Sequence, residues 1–155
     1  MSYYEPKFTT IDGFYVSGLS VCTKNTEEFN PLTAKLPALW QQFMTSGLVD
    51  LNVQPTPDIF GVYSDYDSDA SGYYRVTAGL STNIEEIRPE HSSVAVVAGN
   101  YLVFSGKGLM PVTVIALWQK IWLCFSENQN YKRNYLSDFE LYRGVDEIEI
   151  FIGYS

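Results

Sequence analysis

Apolar positions in this chain recur mostly every second residue, in short runs broken by clusters of Gly, Pro, Asn and Asp, a pattern that reads as strands and turns. Residues 14–21 are rich in β-forming side chains and are bounded by Asp12-Gly13 and Lys24-Asn25. Residues 59–66 and 73–81 flank an acidic loop and predict a hairpin. Residues 93–98 and 101–106 are β-branched apolar runs, and residues 138–142 and 147–154 predict strands on either side of Arg143-Gly144-Val145-Asp146. The period changes in two places. Leu117, Ile121 and Phe125 follow helical spacing, with Trp118 and Trp122 beside them, so a helix is expected over residues 111–125. A second helix is expected within residues 30–45. Pro31 and Pro37 both prefer a first helical turn, which leaves residues 38–45 as its firmest part, stopped by Ser46-Gly47.

The order strand–helix–strand–strand therefore occurs twice, and short sequence matches follow it. Ala38-Leu39-Trp40-Gln41 recurs as Ala116-Leu117-Trp118-Gln119, 78 residues on, and Phe60-Gly61-Val62-Tyr63 matches Phe139-Glu140-Leu141-Tyr142, 79 residues on. Each match falls on the corresponding element. A duplication with pseudo-repeats of about 1–82 and 83–155 accounts for both, and a cleft at the pseudo-twofold junction is a natural ligand site.

Composition narrows the function. Ten Lys and Arg against 18 Asp and Glu give a formal net charge of −8, which lacks the basic footprint of a nucleic-acid binder. At 155 residues the chain can bury a single-domain core without a disulfide or metal. Cys22 and Cys124 lie far apart, and no signal-peptide pattern opens the sequence, so a reducing cytoplasm is expected. The most apolar stretch, residues 109–125, is short for a membrane span and contains Gln119 and Lys120. The unusual feature is 12 Tyr, 9 Phe and 3 Trp, which implies a thick aromatic core or an aromatic-lined pocket.

Glu140 is the most informative candidate. Strand alternation places Asp138, Glu140 and Tyr142 on one face and Phe139 and Leu141 on the other. Its repeat counterpart is Gly61, so a pseudo-symmetric cleft would hold one carboxylate and one vacancy. The plain alternative is a solvated edge-strand glutamate. Trp40 and Trp118 occupy equivalent helical positions, with Trp122 one turn beyond, and Tyr63 corresponds to Tyr142. These rings could pack on a cation or simply anchor helices to a sheet. Asp65-Tyr66-Asp67-Ser68-Asp69 begins like a calcium loop, but Ala70 and Val76 stand where glycine and glutamate are required. Gly106-Lys107-Gly108 fits no phosphate-binding spacing. His91 is the only histidine and neither cysteine has a ligand cluster, so metal and triad chemistry are not expected.

The second half, from Gly99-Asn100-Tyr101-Leu102-Val103-Phe104 through the Trp118 helix to Asp138-Phe139-Glu140-Leu141-Tyr142 and Val145-Asp146-Glu147-Ile148-Glu149-Ile150, resembles the GyrI-like effector-binding family. That family supplies the ligand-sensing domains of AraC-type and multidrug-sensing bacterial regulators. The first half, with Leu36-Pro37-Ala38-Leu39-Trp40 and the hairpin between Tyr63 and Tyr74, is similar to stand-alone integron-cassette effector-binding proteins. The resemblance implies an α+β fold: a duplicated strand–helix–strand–strand module forming a curved antiparallel sheet, with two helices about a pseudo-twofold cleft. It implies one effector-binding domain over residues 1–155 that binds a cationic, lipophilic small molecule without a cofactor. Glu140 would sit in the pocket, with Trp40, Trp118, Trp122, Tyr63, Tyr142 and Phe104 also binding ligand. No DNA-binding domain fits in this length, so regulation would need a separate DNA-binding regulator. The alternative the resemblance carries is hydrolysis of strained, reactive small molecules, with Glu140 as general base and Tyr142 or Tyr63 assisting. A third reading is an interaction module using the acidic surface.

Overall fold

A computed structural model of the chain describes residues 7–48, 57–69, 71–82, 91–127, 131–144 and 146–154. In chain order the elements are β1 (Lys7–Ile11), β2 (Phe14–Thr23), α1 (Asn25–Glu28), α2 (Leu36–Thr45), β3 (Ile59–Ser64), β4 (Tyr74–Thr82), β5 (Ser92–Val96), β6 (Gly99–Lys107), α3 (Val112–Glu127), β7 (Arg133–Arg143) and β8 (Glu147–Tyr154). The strands make one antiparallel eight-stranded sheet in the order β1-β6-β8-β7-β3-β4-β2-β5.

That order is a palindrome about the β7–β3 seam. β2, β3 and β4 on one side correspond to β6, β7 and β8 on the other, each set interrupted by a helical segment after its first strand. The duplicated fold expected from the sequence is therefore present. The outermost strands add something the repeat pattern did not contain. β1 leads into β2 yet pairs with β6, and β5 leads into β6 yet pairs with β2. Each half lends its leading strand to the other.

Local chemistry explains where the helices begin. Of the region from residue 30, the firm part is helical as expected, in α2 from Leu36, while residues 31–33 form a turn and a short α1 over Asn25–Glu28 precedes them. The Glu28 carboxylate accepts from the backbone N–H of Lys35 (2.9 Å) and of Leu36 (3.1 Å), and from the Thr23 hydroxyl (2.5 Å). A side chain from outside the helix thus satisfies amides left open at its start, and Pro37 falls in the first turn where its missing N–H costs nothing. α3 runs two residues beyond the expected end, to Glu127. No helix among the described residues is long and apolar enough to cross a membrane.

Alternation along the strands gives the sheet two different faces. On one face, Leu102, Phe104, Ile148, Ile150 and Ile152 pack under Leu117 and Ile121 of α3, while Val76, Ala78 and Tyr74 pack under Leu39 and Phe43 of α2. Among the described residues, the other face carries no helix. There Phe60, Val62, Tyr101, Val103, Phe139, Leu141 and Phe151 pack on one another as the sheet curls. The stacked Phe139 and Phe151 rings, 4.3 Å apart, lie at its centre. The curl brings β5 against β3 and β7, and Ser137 Oγ accepts from the Val97 N–H (3.0 Å) while the Tyr101 hydroxyl donates to the Val97 carbonyl (2.5 Å).

The curl requires close backbone approach between β2 and β4, where Gly18 pairs with Gly79. A Cβ on Gly18 would lie 1.9 Å from the Ala78 carbonyl oxygen. Gly18→Ala must push the two strands apart, so a loss of at least ~3 kcal/mol is expected, at the upper end of overpacking effects. Chemical denaturation of the variant checks this; wild-type stability would mean the strands are not held this closely.

Candidate functional site

The β3–β7 seam pairs Gly61 directly with Glu140, the two residues that the repeat offset also equates. The pseudo-twofold axis therefore passes between them. Following the hydrogen-bonded register outward gives one row across the sheet: Phe104, Ile150, Glu140, Gly61, Ala78 and Leu19. All face the helices. Glu140 is the one charged member of an otherwise apolar row.

The vacancy at Gly61 is filled from above. A Cβ there would fall 2.8 Å from the Trp40 ring and 2.9 Å from Glu140 Oε1, so only glycine lets α2 lower its indole onto the sheet beside the carboxylate. Trp118 of α3 occupies the related place over Glu140 and donates from Nε1 to Oε2 at 2.7 Å. The tyrosines two residues along each strand complete the set. Tyr63 donates to Oε2 at 3.0 Å and Tyr142 to Oε1 at 2.9 Å. Ring contacts close the surroundings: Trp40 meets Tyr142 edge-on with centroids 5.2 Å apart, and Tyr63 meets Trp118 at 5.1 Å.

Glu140 is 2% exposed, and all three of these donors are uncharged. Burial holds its carboxyl above the ordinary glutamate range, and the hydrogen bonds from Trp118, Tyr142 and Tyr63 offset only part of that. Burial, reinforced by the Glu140 charge, pushes the phenols of Tyr63 and Tyr142 well above theirs. Both therefore remain donors at any physiological pH. The site is a desolvated carboxylate held by neutral groups, with aromatic rings on each side.

Most of the residues anticipated from the sequence converge here. Trp122 stands one ring further out, 6.2 Å from Trp118, and meets Phe29 from the segment after α1. Phe104 does not reach the carboxylate; Ile150 lies between them, and its ring belongs to the core under α3. The sequence reading missed a second buried charge. Asp138 is fully buried and accepts from the Tyr66 hydroxyl (2.5 Å), Arg133 Nη2 (2.7 Å) and the Gly153 N–H (2.8 Å). The Arg133 guanidinium lies 6.0 Å from the Trp118 ring centroid. The available signal was a cation in the aromatic run Tyr131-Lys132-Arg133-Asn134-Tyr135, shortly before an aspartate on the Glu140 face. Two aspartates of the acidic hairpin serve local partners instead, Asp65 pairing with Arg75 and Asp69 with Ser71.

Glutamine can replace Glu140 and leave each of its three donors one hydrogen-bond partner, although the Tyr142 hydroxyl turns from donor to acceptor. Its oxygen accepts from Trp118 and Tyr63, and its amide donates to the Tyr142 hydroxyl. Since the folded carboxyl sits above its unfolded value, its contribution to stability is full below the unfolded value and is lost as pH rises through the folded one. Glu140→Gln is therefore expected to melt above wild type at pH 7.5, with the gap closing toward pH 4. Thermal melts across pH check this; a gap that grows on acidification would contradict it.

Comparison with known proteins places these features in context. The profile of the Cass2 family, integron-associated effector-binding proteins, matches residues 7–153. YobU of Bacillus subtilis (strain 168), a transcriptional regulator by name, is 28% identical over 138 residues, covering 86% of this chain and 84% of YobU. The crystal structure of the integron cassette protein VCH_CASS2, from the mobile metagenome of Vibrio cholerae, superposes with a TM-score of 0.85 at 33% identity, covering 97% of this chain and 96% of that one. SAV2435, solved bound to tetraphenylphosphonium, shares the fold at a TM-score of 0.73 and 16% identity, over 97% of this chain and 94% of that one. With the family profile spanning nearly its whole length, this chain belongs to the Cass2 integron-associated effector-binding family.

Proposed function

We propose that the protein is a receptor for lipophilic or aromatic organic cations, with Glu140 as counter-ion and Trp40, Trp118, Tyr63 and Tyr142 as aromatic walls. One observation carries this reading: a carboxylate removed from water has three neutral donors and, among the described residues, no ion-pair partner. Hydrogen bonds from neutral groups leave the net charge uncompensated, and a buried charge calls for an opposite one. A delocalised cation supplies it without needing hydrogen bonds, and ring faces add attraction of about 0.5–2 kcal/mol each. The tetraphenylphosphonium complex of a protein with the same fold supports the same ligand class.

Hydrolysis is less well supported. A general base needs a free oxygen within reach of the proton it removes, whereas here both carboxylate oxygens already accept from ring donors; a delocalised cation needs no such hydrogen bond. The described residues form one sheet with its helices, and in this reading the cytoplasmic receptor either sequesters its ligand or signals through a separate DNA-binding regulator.

The test compares tetraphenylphosphonium with a neutral aryl compound, triphenylphosphine oxide, by quenching of tryptophan fluorescence. Losing one partner of a desolvated charge pair costs on the order of 2–5 kcal/mol, so Glu140→Gln should weaken the cation by roughly thirty- to several-thousand-fold. The neutral compound should change little. Equal losses for both, or none, would remove Glu140 from the assigned role. Protein-dependent turnover of a strained electrophile, abolished by the same substitution, would favour the hydrolase instead.

A further inference from the structure

A cleft opens near the Glu140 site, where Trp122 stands next to Trp118. It measures about 370 Å³ and is walled by Phe29, Trp122, Phe125 and Tyr135, with Asn25, Ser126 and Arg133 as polar members. Three independent features meet at its floor. The first is a break in the β7–β8 ladder, where Arg133 pairs with Tyr154 but Asp138 pairs with Ile152. Five steps along β7 are thus set against two on β8, and bulges of this kind re-aim side chains. The second is Tyr135 inside that break, at φ +53°, a left-handed conformation unfavourable for a tyrosine. Its ring lies 4.5 Å from the Arg133 guanidinium. The third is Arg133 itself. Its side chain is 8% exposed, Nη2 is committed to Asp138, and Nε–H is buried with no acceptor among the described residues. A charged donor left unpaired in an aromatic surround is costly, and ligand oxygen is the partner that such a position lacks.

Charge decides what kind of oxygen. Asp138 already balances Arg133 at 2.7 Å, Glu140 lies just across the Trp118 indole, and the chain as a whole is acidic. The cleft therefore offers an N–H and ring faces without a positive potential. A carboxylate would be repelled there, and a carbonyl would not.

We propose that this cleft is a second ligand site, separate from Glu140, for neutral aromatic carbonyl compounds, whose oxygen accepts from Arg133 Nε–H while their rings pack among Phe29, Trp122, Phe125 and Tyr135. Benzophenone, diphenylmethane and diphenylacetate form a matched set with a carbonyl, no acceptor and an anion. In ¹⁵N-labelled protein, benzophenone should shift the Arg133 Nε–H resonance downfield and bind at least ~tenfold more tightly than diphenylmethane, the lower end of a hydrogen bond to a charged donor. Diphenylacetate should bind more weakly than benzophenone. Arg133→Lys keeps a cation against Asp138 but removes Nε–H, and should erase the preference over diphenylmethane. Glu140→Gln should leave benzophenone binding unchanged, which separates failure here from failure of the cation site. Equal affinities, an unmoved Arg133 resonance, a preference that survives Arg133→Lys, a loss in Glu140→Gln or tighter binding of the anion would each overturn the assignment. If thermal melts show that Arg133→Lys does not fold, Trp122→Ala replaces it. That variant should weaken benzophenone and diphenylmethane alike, and undiminished binding would equally overturn the proposal.

Discussion

The burial of one carboxylate at the centre of the sheet sets the terms for everything around it. Glu140 faces helices and rings where an apolar side chain would pack more cheaply, and its neighbours are selected to make that position tenable. Gly61 opposite leaves room for the Trp40 ring, and tyrosines two residues away on each strand aim their hydroxyls inward. Trp118 adds an indole N–H from above. The three hydrogen bonds stabilise the charge without cancelling it. The outcome is a site whose electrostatic demand persists in the folded protein, the condition a cation-binding pocket requires.

The rest of the molecule makes this affordable by dividing labour between the two faces of the sheet. The aromatic load that composition left unassigned goes to both. Phe14, Phe60, Tyr101, Phe139 and Phe151 interlock on the helix-free face, whereas the tryptophans and several tyrosines gather on the other. Phe139 and Glu140 are consecutive, so a single strand carries the centre of the dry core and the centre of the polar site on opposite sides. Rigid packing behind the carboxylate fixes its position to the precision its three donors need.

Sequence pattern made the seam legible because a period of two and a repeat offset are both local counts. They placed Glu140 opposite Gly61, matched Trp40 with Trp118, and assigned Tyr63 and Tyr142 to the same face. What they missed depends on contacts distant along the chain. β1 is a short, half-polar strand whose pairing partner is some ninety residues away, so nothing nearby marks it. The start of α2 is set by Glu28 reaching forward across a loop. Phe104 shares the face of Glu140 but stands two strands away with Ile150 between, a spacing that strand order decides and alternation does not carry. The Arg133–Asp138 pair is assembled by a break in register, which alternation cannot anticipate.

The exchange of leading strands bears on how such a protein could arise. A lone module would leave its first strand without a sheet to join, so its stable form would be a pair of identical chains trading arms. Identical chains impose identical residues on both sides of the axis. The central position would then hold two carboxylates in direct opposition, which resist ionising together, or two glycines and no charge at all. A carboxylate facing a glycine, with an indole lowered into the glycine's space, is open only to a chain in which the two sides of the axis can carry different residues. Joining the halves in one chain thus does more than link them: it lets one side of the axis supply the carboxylate and the other the room for a ring.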